Sequence, residues 1–179
     1  MTTIRKVKVA VYSGSVENNV AGLITEIRER MADCVEEVRY VQLPYNISDM
    51  QKMNLDKNYL MLLCHSINNR GFSITNVTHA LYDDFLLKSK KLLGRRRIGV
   101  IVHDFDSAEL SSDKLNSRMD SFRINQETTF GKSILQLIGG QLSQSPVEIN
   151  DDQWEELRKY LRNELKNPKP RKTGRSCML

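Results

Sequence analysis

Two short, uninterrupted apolar runs most constrain how this chain can fold. The stretches 59–64 and 98–102 contain no charged side chain, and each is bounded by polar residues. Runs of this length and character are typical of strands that are covered by helices on both faces, as in parallel sheets. They therefore predict the two central strands of a parallel sheet.

Strand and helix patterns alternate along the rest of the chain. Period-2 alternation or short apolar runs predict five strands, at 7–11, 37–42, 59–64, 98–102 and 146–149. Helical spacing predicts helices at 16–31, around 47–53, from a cap at Thr75 or Asn76 to a stop at Gly94, at 130–138, and from Asp151 or Asp152 to Leu165. The polar stretch 107–126 fits a loop with a helical turn near Leu115 and Met119, and its length suits a functional insertion.

This alternation predicts an α/β protein, a three-layer α/β/α sandwich around a five-stranded parallel sheet. The second and fifth predicted strands are half-polar or contain proline, which suits the edges of a sheet. The expected strand order is therefore 2-1-3-4-5, the flavodoxin-like order. Residues 1–165 form a single domain in this interpretation, and residues 166–179 form a disordered basic tail.

The positive net charge of the chain comes from that tail. The segment 166–175 has five lysines and arginines and no acidic residue. The chain has 27 basic residues in all, so the 22 outside this segment equal its 22 acidic residues in number. No specific nucleic-acid site is therefore predicted. We expect at most a weak contact of the tail with an anionic surface. A second basic run, 88–97, fits either a helix C-terminus, where cations complement the dipole, or a docking patch for an acidic partner.

The cysteines indicate the compartment in which the protein works. Cys34, Cys64 and Cys177 show neither a disulfide framework nor metal-ligand spacing, which favours a reducing environment and predicts no metal site. No apolar run approaches the roughly 18 residues of a transmembrane span, and no signal-peptide pattern opens the chain. We expect a cytoplasmic protein, with the nucleus as an additional location. Cys177 is a candidate for palmitoylation.

The expected fold also indicates where a ligand would bind. In a sheet of this order, ligands bind outside the carboxyl ends of the strands where the order reverses, between the first and third strands. Two predicted loops meet there, 13–19 and 65–73, and their side chains can donate hydrogen bonds to an anion. The candidate anion-binding residues are Ser13, Ser15, Asn18, Asn19, Asn69 and Arg70.

A second candidate site is a polar cluster at the same edge of the sheet. It consists of His65, His103, Asp104 and Asp106, which follow the third and fourth predicted strands. Such residues can perform acid/base chemistry or bind a metal. Solvation and helix capping explain the same residue types without any function.

The loop after the first strand resembles a known phosphate-binding loop. The segment Tyr12-Ser13-Gly14-Ser15-Val16-Glu17-Asn18-Asn19 is similar to the phosphate loop of flavodoxins, although Glu17 stands where glycine is usual and Asn19 where that family has threonine. The resemblance implies that Ser13, Ser15 and Asn18 hold the phosphate of FMN. Phe72 and Phe105 are the candidates to stack on a flavin. The alternative is an ordinary β-to-α turn whose small polar residues cap the helix.

The same region also resembles the start of TIR domains, which share this architecture and interact through surface loops. The matching residues are Val9-Ala10-Val11-Tyr12-Ser13-Gly14. This resemblance implies a role in protein–protein interaction and signalling. The glutamate that NAD-cleaving members use has no counterpart in the sequence, where Asp83 and Asp84 are the nearest acids.

Two further motifs do not support an activity. Gly131-Lys132-Ser133 matches the end of a P-loop, but Gln126 stands where the first glycine is required. Cys64 and His65 are adjacent in a strand, so their side chains point to opposite faces and cannot act together as nucleophile and base.

We therefore expect a non-catalytic interaction or adaptor domain that binds protein partners and carries no cofactor. The alternative is a protein, or an enzyme, that binds FMN or a nucleotide phosphate in the crevice between the first and third strands.

Overall fold

The computed structural model describes residues 4–77 and 80–166. Within them, one sheet contains β1 (Val7–Ser13), β2 (Val35–Gln42), β3 (Tyr59–Ser66), β4 (Ile98–His103) and β5 (Leu135–Ile138). Every pairing is parallel and the strand order is β2-β1-β3-β4-β5. The three-layer α/β prediction and its strand order are confirmed. The tail beyond residue 166 lies outside the described residues.

Helices cover both faces of the sheet. Those of the described residues are α1 (Ala21–Arg30), α2 (Ile47–Gln51), α3 (Asp83–Leu93), α4 (Ser112–Asn125), α5 (Glu127–Lys132) and α6 (Asp151–Lys166). The apolar residues of α1 and α6 join one core, and those of α2, α3, α4 and α5 join the core on the other face. In this part of the chain, no helix combines the length and apolar character that crossing a bilayer requires.

The central strand β3 belongs to both cores. Its residues alternate in direction: Leu60 and Leu62 pack towards α1 and α6, and Met61 and Leu63 pack towards the opposite layer. All eight residues of β3 are buried, and each large aliphatic side chain contributes about 1.5–3 kcal/mol through burial. The hydroxyl of Tyr160 on α6 also donates a 2.7 Å hydrogen bond to the carbonyl of Met61 inside the core. This packing explains the continuous apolar run in the sequence.

The fifth strand does not lie where the sequence pattern placed it. The prediction of a strand at 146–149 is wrong, because the N–H of Glu148 donates to the carbonyl of Gln141 and its carbonyl accepts from the N–H of Gly140, outside the sheet. The edge strand is β5, within the segment 130–138 that was expected to be helical. Its four residues are too few to separate a strand from a helical stripe by their spacing.

Two other boundaries differ from the sequence prediction. The helix expected from Thr75 or Asn76 begins only at Asp83, although Gly94 ends it as predicted, with φ of 84°. The stretch expected to be a loop with a helical turn contains a complete helix, α4, because Leu115 and Phe122 anchor one side of it in the core. Its remaining positions are mostly polar, which hid the helical pattern.

A long loop, 139–150, closes over the start of α1. The N–H groups of Gly22 and Leu23 donate to the carbonyls of Ser143 and Leu142, at 3.1 and 3.0 Å. One turn further along α1, the buried carboxylate of Glu26 accepts a 2.8 Å hydrogen bond from the N–H of Val147. The loop therefore caps the start of α1, whose first N–H groups would otherwise be unsatisfied.

This closure leaves no space for a side chain at position 22. A Cβ atom on Gly22 would lie 2.6 Å from the carbonyl carbon of Gln144. We expect Gly22→Ala to lower the free energy of unfolding by about 2 kcal/mol, because overpacking outweighs the helix preference of alanine. Gly131→Ala is the control, because position 131 on α5 has open space around it. Urea unfolding followed by circular dichroism should rank Gly22→Ala well below Gly131→Ala, and equal stabilities would contradict the tight closure.

Candidate functional site

The two loops that were expected to form a crevice do meet. In the sheet, Ser13 at the end of β1 pairs with Cys64 of β3. Beyond the strand ends, the side-chain amide nitrogen of Asn69 lies 3.6 Å from the position of a Cβ on Gly14. We call this surface, formed by loops 13–19, 43–47 and 67–73, the carboxyl-edge site.

The serines of the first loop bind each other. The hydroxyls of Ser13 and Ser15 share a 2.8 Å hydrogen bond, and the N–H of Ser15 donates to the Ser13 hydroxyl at 3.1 Å. The hydroxyl of Tyr40 on β2 donates to the carbonyl of Ser15. Ser13 is 1% exposed. These contacts fix the turn, and they also occupy much of the hydrogen-bonding capacity that a phosphate would need.

The start of α1 does not offer its first N–H groups to a ligand at this loop. A 3-10 turn, Glu17–Val20, comes between the serines and α1, and it leaves Asn18 and Asn19 exposed beside the carboxylate of Glu17. The N–H groups of Gly22 and Leu23 are already bound to loop 139–150. A phosphate loop depends on free N–H groups at a helix start, so the geometry gives little support to the flavodoxin-like interpretation.

On the facing loop, Arg70 stacks on an aromatic side chain that the sequence analysis did not single out. The Arg70 guanidinium lies 5.6 Å from the ring centre of Tyr45, which is 86% exposed. Arg70 has a φ of 61° and Gly71 a φ of 67°, so two consecutive residues adopt the left-handed conformation. This backbone costs Arg70 on the order of 1 kcal/mol, and it turns the loop towards Tyr45.

The four residues of the polar cluster do not form one site. His65 bonds to Tyr82 on the α3 side of the sheet, whereas strand alternation directs His103 to the opposite face with Ile101. Asp106 is exposed, and its carbonyl accepts the N–H of Glu109 at the turn before α4. Within 4–77 and 80–166, no three histidine, cysteine or acidic side chains are placed to hold a metal ion.

His65 is a buried, neutral structural residue. Its Nε2 donates to the carbonyl of Gly71 at 2.8 Å, so its Nδ1 accepts from the Tyr82 hydroxyl, also at 2.8 Å. Burial disfavours the imidazolium form and lowers the pKa of His65 to about 4. The same burial raises the pKa values of its neighbours Tyr82 and Cys64. Neither the thiol nor the imidazole is prepared for catalysis.

His103 has a different environment. It is fully buried, and its Nδ1 lies 3.3 Å from Oδ2 of Asp104, although neither ring nitrogen makes a well-aligned hydrogen bond in the described residues. Asp104, with φ of 71°, also accepts a 2.5 Å hydrogen bond from the Ser66 hydroxyl. The contact with His103, followed by that with Ser66, lowers the pKa of Asp104. The carboxylate of Asp104 thus joins the ends of β3 and β4.

The structure also explains two glutamines and the P-loop fragment. Gln126 accepts from the N–H groups of Ile74 and Thr75 at 2.7 and 3.0 Å and fixes the chain after the β3 loop. Gln153 of α6 pairs with both backbone groups of Ile138 and extends β5. Lys132 ends α5 and a strand follows it, whereas the lysine of a P-loop begins a helix.

Comparison with protein-family models, with curated proteins and with solved structures finds no match to this chain. The fold nevertheless defines its class. The chain is a doubly wound α/β protein with the flavodoxin-like strand order, and its carboxyl-edge site lies at the point where that order reverses.

His65 should make the stability of the fold depend on pH. The unfolded chain has a histidine pKa of about 6.5, above the folded value of about 4, so unfolding takes up a proton between these values. The free energy of unfolding should therefore be highest above pH 6.5 and decrease as the pH falls. At pH 5 it should be about 2 kcal/mol lower than above pH 6.5. Urea titrations at pH 7 and pH 5 measure this loss. In His65→Gln, the free energy of unfolding should differ much less between pH 7 and pH 5 than in the wild type. An equal pH dependence in both proteins would show that other groups cause the loss.

Proposed function

We propose that this domain is a non-catalytic interaction or adaptor domain that binds a protein partner through the carboxyl-edge site. The observation that carries the proposal is the exposed pair of Tyr45 and Arg70, held on two loops that flank the end of β1. Tyrosine and arginine are enriched among the residues that contribute most to protein–protein binding. Tyr45 is 86% exposed, and an exposed apolar side chain indicates a binding surface when others lie near it.

Further exposed apolar side chains lie on the same loops. Val16, after β1, is 58% exposed, and Ile47, at the start of α2, is 39% exposed. Together with Tyr45 they place three apolar contacts on the loops that follow the neighbouring strands β1 and β2. An aromatic anchor with aliphatic neighbours and an arginine is the usual composition of an interface centre.

The loop that carries Tyr45 is anchored at both ends. The N–H of Leu43 donates to the carbonyl of Ser13 at 2.8 Å. The side chain of Asn46 caps α2 by accepting the N–H of Ser48 at 2.7 Å. A side chain held between such anchors loses less conformational entropy when it binds. The exposure of Tyr45 is therefore a property of an ordered surface.

The polar groups of the crevice favour binding over chemistry. The hydroxyls of Ser13 and Ser15 bind each other, and His65 is neutral between Tyr82 and Gly71. A nucleophile needs an adjacent base with access to substrate, and neither serine has one in these contacts. Two buried free thiols, Cys34 and Cys64, suit a reducing compartment. They support our proposal of a cytoplasmic location, with the nucleus as a further one.

The proposal predicts that Tyr45→Ala weakens partner binding and preserves the fold. Affinity capture from cells with the full-length chain, quantified by mass spectrometry, should recover a defined set of proteins. Tyr45→Ala and Arg70→Ala should each reduce the recovered amount of these proteins. For a residue at an interface centre, the expected loss of binding affinity is about thirtyfold. Lys159→Ala is the control, because Lys159 is exposed on α6, away from these loops. Partners that Tyr45→Ala retains at the wild-type level would contradict the carboxyl-edge site.

The alternative function is the binding of FMN or a nucleotide phosphate in the crevice. Arg70 and Asn69 are the donors on the facing loop that support it. If the domain is an interaction module, FMN, NAD and ATP should leave the melting temperature unchanged, since only a ligand of the native state raises it. A rise that Arg70→Ala abolishes and Lys159→Ala retains would establish the alternative and overturn the leading proposal.

A further inference from the structure

Exposed cations gather at the opposite end of the sheet. Because the strands are parallel, they all begin at one edge, and α3 and α6 end there; we call this surface the amino edge. Eight exposed basic residues lie just before β1, β3 and β4 or in the last turns of α3 and α6, and two of them, Lys6 and Arg95, donate to the carbonyls of Ala32 and Phe130. The other six are Arg5, Lys57, Lys90, Lys91, Arg96 and Lys166.

These cations are not neutralised by neighbouring acids. Among residues 4–77 and 80–166, none of the six takes part in an ion pair. Two acids of this region are already paired: Glu164 with Arg97 at 3.3 Å, and Asp56 with Arg39 at 3.7 Å. Glu36 is an exposed acid at this edge, on the outer strand β2. The surface from β1 to β4 therefore has an excess of positive charge.

The amino edge contains a cavity that several of its elements border together. This cavity, of about 580 Å³, is bordered by residues of β1, β2, β3 and α6 and by Arg97, just before β4. Its charged lining residues are four cations, Arg5, Lys6, Lys8 and Arg97, and two acids, Glu36 and Glu164. Arg97 also donates to the carbonyl of Lys57 at 2.6 Å, which ties the starts of β3 and β4 together. Of the six cations, Arg5 lines this cavity, and Lys57, Arg96 and Lys166 are next in sequence to its lining residues Asn58, Arg97 and Leu165.

Exposed aliphatic side chains accompany the cations. Ile4, beside Arg5, is 75% exposed, and Ile134, just before β5, is 40% exposed. An acidic protein partner would need only the cations and would not require the aliphatic side chains. Cations with protruding aliphatic side chains are typical of surfaces that rest on a membrane, where the charges meet anionic headgroups and the aliphatic groups enter the interface.

From this combination we infer that the amino edge binds membrane surfaces rich in anionic phospholipid. The inference is independent of the protein partner proposed for the carboxyl-edge site. The sequence continues from Lys166 with four more cations and no acid, at Lys169, Arg171, Lys172 and Arg175. The tail contact expected from the sequence remains a separate prediction, because here the folded domain supplies the binding surface.

Vesicle co-sedimentation with the full-length chain tests the inference. Vesicles of phosphatidylcholine with 30% phosphatidylserine should bind the protein, and vesicles of phosphatidylcholine alone should not. Binding should decrease as salt is raised from 50 to 300 mM, because exposed charges are then screened. Failure to bind the phosphatidylserine vesicles at low salt would overturn the inference.

Two charge variants locate the contact. Lys91→Gln combined with Arg96→Gln should weaken vesicle binding by roughly tenfold or more, since each cation near the surface contributes about a fivefold factor. Lys114→Gln combined with Lys159→Gln removes the same charge from exposed positions of α4 and α6 away from the amino edge, and should bind like wild type.

Neutralising the tail separates it from the folded edge. A full-length variant with the tail neutralised should still bind vesicles in a way that depends on Lys91 and Arg96. Its substitutions are Lys169→Gln, Arg171→Gln, Lys172→Gln and Arg175→Gln. Wild-type affinity of the Lys91→Gln, Arg96→Gln variant would instead assign the contact to the tail and overturn the inference. Binding of poly-glutamate without binding to vesicles would indicate that the amino edge binds an acidic protein. This result would also overturn the membrane proposal.

Discussion

The common direction of the five strands is the constraint on which the rest of the structure depends. Hydrogen bonding between parallel strands requires a helical crossover after each one, so all β-to-α loops lie at one end of the sheet and all α-to-β connections at the other. The two ends then acquire different chemistry. One presents Tyr45 and Arg70 over internally bonded serines, and the other presents exposed cations with Ile4. Each surface is built from residues far apart in sequence.

Much of the fold could be predicted from the sequence, because burial on both faces leaves a direct trace. The runs that became β3 and β4 are continuous and apolar, and the half-polar pattern of β2 indicated an edge. The expected order is correct for the fifth strand too, although its edge position was inferred from the wrong residues. The fifth strand could not be located in this way. Leu135–Ile138 is too short to show a period, whereas 146–149 alternates like a strand but pairs locally with 140–141. Short edge segments are decided by tertiary contacts that the sequence does not display.

Less of the candidate site could be predicted. Topology placed the loops of Ser13 and Asn69 side by side, and the structure brings them together. It could not reveal that Tyr40 would bind the carbonyl of Ser15, or that Tyr45 would stay exposed against Arg70. Neither tyrosine belongs to a motif. The resemblance to a phosphate loop likewise rested on local residue types, whereas the availability of N–H groups at α1 is determined by loop 139–150. The identity of a ligand or partner remains a proposal for the same reason.

The capping of α1 by that loop has a consequence for how the protein is made. Glu26 and its partner Val147 are separated by 121 residues, and ribosomes add about 5–20 residues per second, so the helix emerges on the order of ten seconds before its cap exists. During that interval the first β-α-β unit has an unfinished helix and uncovered core residues. The nascent chain should therefore depend on chaperones until loop 139–150 has been translated, and truncated chains that end before this loop should be rapidly degraded.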